Sequence, residues 1–225
     1  MIWQQEHANG QTLPTMANTE PASGVVLFLE WLKNIKLTGG VAVDIGSGKG
    51  RNSIFLAQNG YAVTGLEYIE FARQCSEELS RLNNVSDKTI FLDACIDEVW
   101  PLADESFDIA IDSFSSIDIE TKLGRIQCRN EIYRTLKPGG YALVTVCSAE
   151  DEWERELIAK HPGPEPNSTI WPQNEKFQKD YSEKELKSFY DMFEVCDFKV
   201  IRKPAHKLGR DGTATNLWLV IRKHP

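Results

Sequence analysis

Short apolar runs alternate with amphipathic segments along most of this chain. The apolar runs are typical of buried strands, and the segments between them repeat apolar residues at helical spacing. This alternation predicts βαβ units and a parallel sheet. The predicted strands are 41–45, 61–67, 89–92, 107–111 and 141–147, and the predicted helices are 24–37, 51–59, 69–82 and 119–136.

Two further strand-like runs close the chain, 193–203 and 215–222, with Gly209 and Gly212 in the turn between them. They predict a hairpin that adds one antiparallel strand to the sheet. The predicted fold class is therefore α/β, a Rossmann-like three-layer sandwich. Its sheet has seven strands and is mostly parallel, with one antiparallel strand in the C-terminal hairpin.

The segment 148–181 interrupts the alternation, since it holds four prolines and several aromatic residues. Long loops without regular structure often carry function, so we interpret this segment as an insertion that forms a substrate lid. Its candidate lining residues are Trp153, Trp171, Phe177 and Tyr181. A helix over 182–192 is predicted to follow.

The predicted domain organisation is an N-terminal arm over 1–23, with Trp3 and Met16 as apolar residues, and one domain over 24–225. The 225 residues include 41% hydrophobic and 26% charged residues, which is typical of a globular protein. No apolar run approaches the roughly 20 residues of a membrane span, and the N-terminus lacks the features of a signal peptide.

The net charge of −8 argues against a nucleic-acid partner, because such proteins neutralise phosphates with clustered lysine and arginine. The five cysteines form no C-x-x-C pair, and neither they nor the histidines have the spacing of a metal site. We therefore expect reduced thiols, a cytoplasmic location and no metal. The oligomeric state is not predicted.

The strongest local signal is the run VAVDIGSGKGR over 41–51. A strand ends in Asp44 and passes into a turn with Gly46, Gly48 and Gly50, where glycine permits positive φ and close approach of a ligand. The dinucleotide fingerprint G-x-G-x-x-G fails because Arg51 stands at its third glycine. The phosphate-binding P-loop fails because Val43 replaces its first glycine.

The remaining pattern, Asp-x-Gly-x-Gly-x-Gly, resembles motif I of the class I S-adenosylmethionine-dependent methyltransferases. Four features agree in order with that family: the glycine turn, Glu67 after the second strand, the segment FLDA over 91–94, and FDIAIDSF followed by LKPGGYALVTV. The closest resemblance is to the small-molecule branch that includes tellurite-resistance enzymes. It implies S-adenosylmethionine as the cofactor. Ser47 departs from a common cysteine, and Glu67 stands where aspartate is also frequent.

The resemblance also implies roles for individual residues. Glu67 would hold the two ribose hydroxyls, because a carboxylate can accept two hydrogen bonds at once. Asp93 and the Ala94 amide would contact the adenine edge, and Asp44 would orient the amides of the glycine turn. The full set of predicted cofactor-binding residues is Asp44, Gly46, Ser47, Gly48, Gly50, Arg51, Asn52, Glu67, Tyr68, Asp93, Ala94, Ser113 and Phe114.

The implied reaction is in-line displacement of the sulfonium methyl group by a small-molecule nucleophile. Asp112, at the end of the fourth strand, is the predicted catalytic residue, as a general base for an acceptor that carries a proton. An anionic acceptor would need no base. Two alternatives stay open: a methyltransferase with a protein or nucleic-acid acceptor, and a non-catalytic module that binds S-adenosylmethionine.

Overall fold

A seven-stranded sheet in the order β3-β2-β1-β4-β5-β9-β8 organises the computed structural model, which describes residues 19–207 and 209–225. The first five strands are parallel to one another, and β9 runs antiparallel to both of its neighbours. The predicted fold class is therefore confirmed. The strands are β1 (Gly40–Ile45), β2 (Tyr61–Leu66), β3 (Thr89–Leu92), β4 (Phe107–Ser113), β5 (Leu136–Cys147), β6 (Ser168–Ile170), β7 (Phe177–Lys179), β8 (Glu194–Lys207) and β9 (Arg210–Arg222).

Helices cover both faces of this sheet. Side chains of α1, α2 and α3 pack with one face, and side chains of α4 and α6 pack with the other. Along β9, Leu217, Leu219 and Ile221 belong to one core and Trp218 and Val220 to the other, since successive side chains of a strand point to opposite faces. The helices are α1 (Ser23–Asn34), α2 (Arg51–Gln58), α3 (Glu70–Leu82), α4 (Lys122–Thr135), α5 (Glu152–Lys160) and α6 (Glu183–Phe189), with a short 3-10 helix over Ser116–Asp118.

Two predicted boundaries around the fifth strand were wrong. The helix before it ends at Thr135, and β5 begins at Leu136 rather than at Tyr141. Leu136 pairs with Phe107, and the register shifts before Tyr141 pairs with Ile109. The Pro-Gly-Gly sequence over 138–140 is therefore part of an irregularity within one long strand.

The prediction of an irregular segment over 148–181 was also wrong. It contains α5 and the hairpin β6–β7. Asp151 begins α5 by accepting hydrogen bonds from the backbone N–H groups of Trp153 and Glu154, at 2.9 and 3.2 Å. The sequence signal for this helix start is the Asp-x-x-Glu spacing of Asp151 and Glu154.

The C-terminal hairpin is longer than predicted. Only residues 216–222 of β9 pair with β5, whereas β8 and β9 stay paired back to the turn at Lys207 and Arg210. The far part of the hairpin, residues 201–207 and 210–215, is a two-stranded extension that we name the arm. Trp153 of α5 packs beneath it, where a Cβ on Gly212 would come within 2.6 Å of the indole ring.

The N-terminal arm predicted over 1–23, with Trp3 and Met16, lies almost entirely outside the described residues. No helix in the part of the chain that the structure describes is long and apolar enough to cross a membrane.

Candidate functional site

The glycine turn between β1 and α2 forms one wall of the site. Gly46, Gly48 and Gly50 have φ values of +62°, +55° and +81°, in the left-handed region that favours glycine. A Cβ on Gly46 would lie 2.6 Å from the Ser115 hydroxyl oxygen. The turn is therefore both conformationally and sterically restricted to glycine.

Glu67 follows β2 and contacts this turn directly. Its carboxylate accepts hydrogen bonds from the backbone N–H groups of Gly48 at 3.0 Å and Ile69 at 2.8 Å. The side chain is buried, and burial raises the pKa of the carboxyl group despite those two amides. Each carboxylate oxygen keeps a second lone pair, so both remain able to accept from a diol.

Asp44 lies beneath the turn. The predicted contact between its carboxylate and the amides of the turn is not present. Its Oδ2 accepts a hydrogen bond from the Ser53 hydroxyl of α2 at 2.5 Å, and the residue is only 1% exposed. Desolvation raises the pKa of Asp44 to about 7, although Ser53 and Arg51 act in the opposite direction. Its place in the structure is a link between β1 and the first turn of α2.

This raised pKa predicts a pH dependence of stability. Between the ordinary value of 3.8 and about 7, the folded protein binds a proton at Asp44 that the unfolded chain releases. The contribution of Asp44 to the free energy of unfolding therefore falls as pH rises through that window, by up to about 1.4 kcal/mol per pH unit. Asp44→Asn should show a correspondingly shallower pH dependence in urea unfolding between pH 5 and 8. Equal slopes for variant and parent would contradict the assignment.

A cavity of about 1360 Å³ opens at the carboxyl ends of the parallel strands. Open α/β sheets place their ligands at this edge. Ten of the predicted cofactor-binding residues line it: Gly46, Ser47, Gly48, Arg51, Asn52, Glu67, Tyr68, Ala94, Ser113 and Phe114. We name this part the cofactor half.

The structure does not bring the other predicted residues to the cavity wall. Gly50 begins α2, where it packs against Ser76. The Asp93 carboxylate pairs with Arg73 at 3.1 Å and is 72% exposed. Asp112 is fully buried, and its Oδ1 accepts from two backbone amides that begin the 3-10 helix. Asp112 does not line the cavity, and its Oδ2 has no hydrogen-bond partner among the described residues, so its role as general base stays a prediction.

Buried hydroxyl groups in the wall provide a test of fit for a polar cofactor. Ser47 Oγ, Ser113 Oγ and Thr145 Oγ1 have no hydrogen-bond partner among the described residues, and all three residues line the cavity. Buried polar groups are normally paired, so these are available to a ligand. Phe114 has a φ of +66°, and such backbone strain in a non-glycine residue concentrates at ligand sites.

The β6–β7 hairpin, the arm, the 3-10 helix and the end of β5 form the opposite part of the cavity wall, which we name the acceptor half. Asp118 and Lys176 form an ion pair here at 2.8 Å, with side chains 14% and 8% exposed. Burial raises the pKa of Asp118 to about 6, although Lys176 opposes that rise. Sequence reasoning missed this pair because its members lie far apart in the chain and match no motif.

Of the four aromatic residues predicted to line a lid, Trp171 lines the acceptor half. Lys207 of the arm lies over the Trp171 ring, at 4.9 Å from its centroid. Trp153, Phe177 and Tyr181 are buried and do not contribute to the cavity wall. Trp153 packs beneath the arm, the Phe177 ring lies under the Arg125 guanidinium at 5.3 Å, and Tyr181 belongs to the core.

Comparison with known proteins agrees with this geometry. Residues 43–144 match a protein-family model described as a methyltransferase domain. A SAM-dependent methyltransferase from Methanosarcina mazei superposes with a TM-score of 0.74 at 22% identity, over 86% of this chain and 97% of that one. This is a class I methyltransferase fold. The domain match includes the glycine turn, Glu67 and β4, and so most of the cofactor half.

Two further structures have the same fold. The 1,6-didemethyltoxoflavin-N1-methyltransferase of Burkholderia thailandensis, with S-adenosylhomocysteine bound, superposes with a TM-score of 0.72 at 16% identity, over 100% of this chain and 88% of that one. TehB from Haemophilus influenzae superposes with a TM-score of 0.64 at 20% identity, over 90% and 62%. The domain match and these methyltransferases indicate S-adenosylmethionine as the cofactor, which confirms the prediction.

A relative with higher sequence identity is named for a protein acceptor rather than a small molecule. The probable protein arginine N-methyltransferase 6 of Arabidopsis thaliana is 34% identical over 110 residues, 48% of this chain and 24% of that protein. The match therefore spans about a quarter of the relative's length. It supports the methyltransferase domain and does not identify the acceptor.

Proposed function

We propose that this protein transfers a methyl group from S-adenosylmethionine to a small-molecule nucleophile in the acceptor half. The observation that carries the proposal is the continuous cavity of about 1360 Å³, whose wall includes both Glu67 and Trp171. Ligand pockets commonly measure about 300–1,000 Å³, so this cavity has room for a cofactor and a small acceptor together. The named small-molecule acceptor of the Burkholderia neighbour is consistent with this class.

S-adenosylmethionine supplies an activated methyl group on a sulfonium. The chain's own residues supply alignment, which can account for roughly 7–11 kcal/mol of a barrier. Glu67 and the glycine turn orient the cofactor, and Ser113 and Phe114 line the cavity where β4 ends. The β6–β7 hairpin and the arm confine the acceptor and reduce its contact with water.

Asp118, rather than Asp112, is the carboxylate placed to receive a proton from the acceptor. It lies in the cavity wall, and its pKa of about 6 makes it ionised at neutral pH while still basic. The adjacent ammonium group of Lys176 stabilises the ionised form. General-base catalysis of this kind contributes about 10²–10⁴-fold.

Release of S-adenosylhomocysteine tests the proposal. The protein is incubated with S-adenosylmethionine and a panel of thiols, phenols, amines and chalcogenide anions, with each acceptor omitted in turn. We expect release that depends on one acceptor class. Binding of S-adenosylmethionine without release for any acceptor would contradict small-molecule methyl transfer and favour a non-catalytic module.

The variant Asp118→Asn distinguishes acceptors that must lose a proton from anionic acceptors. With an amine or hydroxyl acceptor, we expect turnover to fall about 10²–10⁴-fold and the loss of activity below about pH 6 to disappear, while the affinity for S-adenosylmethionine is unchanged. Asp112→Asn should keep the acid limb of the rate profile. Unchanged turnover in Asp118→Asn would show that Asp118 is not a general base. It would favour an anionic acceptor, such as the chalcogenides of the tellurite-resistance branch.

A protein acceptor is the second candidate, because the Arabidopsis relative is named as a protein arginine methyltransferase. The hairpin and the arm line the acceptor half as the wall of a concave cavity, which favours a small molecule over a folded protein. Arginine-containing peptides belong in the same panel. Turnover with peptides and with none of the small molecules would favour a protein acceptor over a small-molecule acceptor.

A further inference from the structure

Three acidic side chains from three separate elements converge beneath the acceptor half. Cys147 ends β5, Glu154 lies in the first turn of α5, and Asp180 directly follows β7. One ligand atom from each lies within 4.8 Å of the other two. Glu154 is 3% exposed and Asp180 is 0% exposed, whereas Cys147 is partly exposed and lines the cavity.

Contacts that do not involve the three ligand side chains hold these positions together. Tyr181 N donates to the Cys147 carbonyl at 3.1 Å, and Ala149 N donates to the Tyr181 carbonyl at 2.9 Å. The Asp151 cap fixes the start of α5. The cluster is therefore preorganised, which lowers the entropic cost of binding a ligand there.

An unpaired oxygen lies inside the cluster. Asp180 Oδ2 is buried and has no hydrogen-bond partner among the described residues. The other oxygen of Asp180 accepts from Gln178 Nε2 at 2.7 Å, and the same nitrogen donates to Glu154 Oε2 at 3.0 Å. Gln178 is itself held by the Trp171 indole at 3.1 Å. Outer partners of this kind orient carboxylates toward a metal ion.

A divalent cation would balance the anionic forms that these ligands take on binding a metal. Lys207 contacts Glu154, and Lys179 pairs with Glu185 at 2.7 Å and donates to the Asp180 carbonyl at 2.6 Å. Metal ligation deprotonates a cysteine thiol and a carboxyl group. The Cys147 thiolate and the Asp180 carboxylate formed in this way match the two charges of one divalent cation.

We propose that Cys147, Glu154 and Asp180 bind a divalent metal ion of the zinc type. A thiolate with two carboxylates suits zinc, whereas magnesium and calcium prefer oxygen ligands alone. Zinc–ligand distances of about 2.0–2.3 Å place neighbouring ligands roughly 3.5 Å apart, so small side-chain rotations close the cluster around an ion. Sequence spacing predicted no metal because these residues meet only in the folded chain.

Three protein ligands leave one coordination position of a tetrahedral site open. Cys147, Gln178 and Lys207 all line the cavity, so the open position faces the acceptor half. A water molecule or a donor atom of a small molecule would complete the coordination there. The proposal concerns metal binding and stands independently of methyl transfer.

Metal titration of the purified 225-residue chain tests this site. We expect one Zn²⁺ per chain in competition with a chromophoric chelator, and a near-ultraviolet thiolate-to-cobalt charge-transfer band with Co²⁺. Outer-shell changes typically weaken metal binding about 10–100-fold, so Asp180→Asn, which removes a direct ligand, should weaken it by at least about 100-fold. Cys147→Ser should abolish the charge-transfer band.

Cys75→Ser is the matched control, because Cys75 lies on α3, away from the cluster. It should bind Zn²⁺ and Co²⁺ as the parent does. Less than one ion per chain, or unchanged affinity in a folded Asp180→Asn, would overturn the proposal. A charge-transfer band that survives Cys147→Ser and is lost in Cys75→Ser would overturn it too. Release of S-adenosylhomocysteine is measured separately, so failure of the metal site does not affect the proposed function.

Discussion

Replacing Gly46 by alanine should abolish S-adenosylmethionine binding while the chain still folds. The new Cβ would lie 2.6 and 2.7 Å from Oγ and Cβ of Ser115. Ser115 cannot move freely, because its backbone N–H donates to buried Asp112 at 3.1 Å and its hydroxyl donates to the Gly46 carbonyl at 3.2 Å. The turn must therefore shift, and with it the peptide groups that the cofactor approaches. Calorimetric titration measures the affinity, and circular dichroism checks the fold.

Gly209→Ala is the matched control for this variant. Gly209 also has positive φ, +74°, but a Cβ there would meet nothing within 4 Å. Both variants carry the backbone strain of a left-handed alanine, about 1–3 kcal/mol. We expect both variants to lose a similar amount of stability and only Gly46→Ala to lose affinity for S-adenosylmethionine. That result would attribute the lost affinity to the contact between residue 46 and Ser115 rather than to backbone strain. Normal binding by Gly46→Ala would remove the turn from the cofactor site.

Replacing Glu67 by alanine should weaken S-adenosylmethionine binding by about 1.5–3 kcal/mol, the value of a hydrogen bond to a charged group. Two effects combine: the ribose loses its acceptor, and the Gly48 and Ile69 amides lose the carboxylate that orients them. Glu70→Ala is the control, since Glu70 is an exposed carboxylate at the start of the next helix.

Ligand analogues separate these two effects of Glu67. Adenosine and 2′,3′-dideoxyadenosine differ only in the ribose diol, so the parent should prefer adenosine and Glu67→Ala should lose most of that preference. If the variant weakened both ligands equally, Glu67 would act on the turn alone. Glu67→Gln, which keeps an acceptor oxygen without the charge, should fall between the alanine variant and the parent.

The cofactor half could be predicted in large part because its residues are local in sequence. The glycine turn, Arg51 and Asn52 are consecutive along the chain, and Glu67 follows the next strand. Periodicity places each of them at a strand end, and parallel strands bring those ends to one edge. Asp93 and Asp112, which do not line the cavity, show the limit of this reasoning. A strand-end position fixes where the backbone lies, whereas packing decides whether the carboxylate faces the cavity, Arg73 or a buried amide.

The acceptor half could not be predicted in this way. Asp118 meets Lys176, and Cys147 meets Glu154 and Asp180, across turns whose paths depend on α5, the β6–β7 hairpin and the arm. The sequence by itself determined the layered α/β fold and the glycine turn, because hydrophobic periodicity and the φ requirement of glycine act over a few residues. Only the tertiary structure decided which charged groups face the acceptor, because burial and pairing depend on contacts between residues distant in the chain.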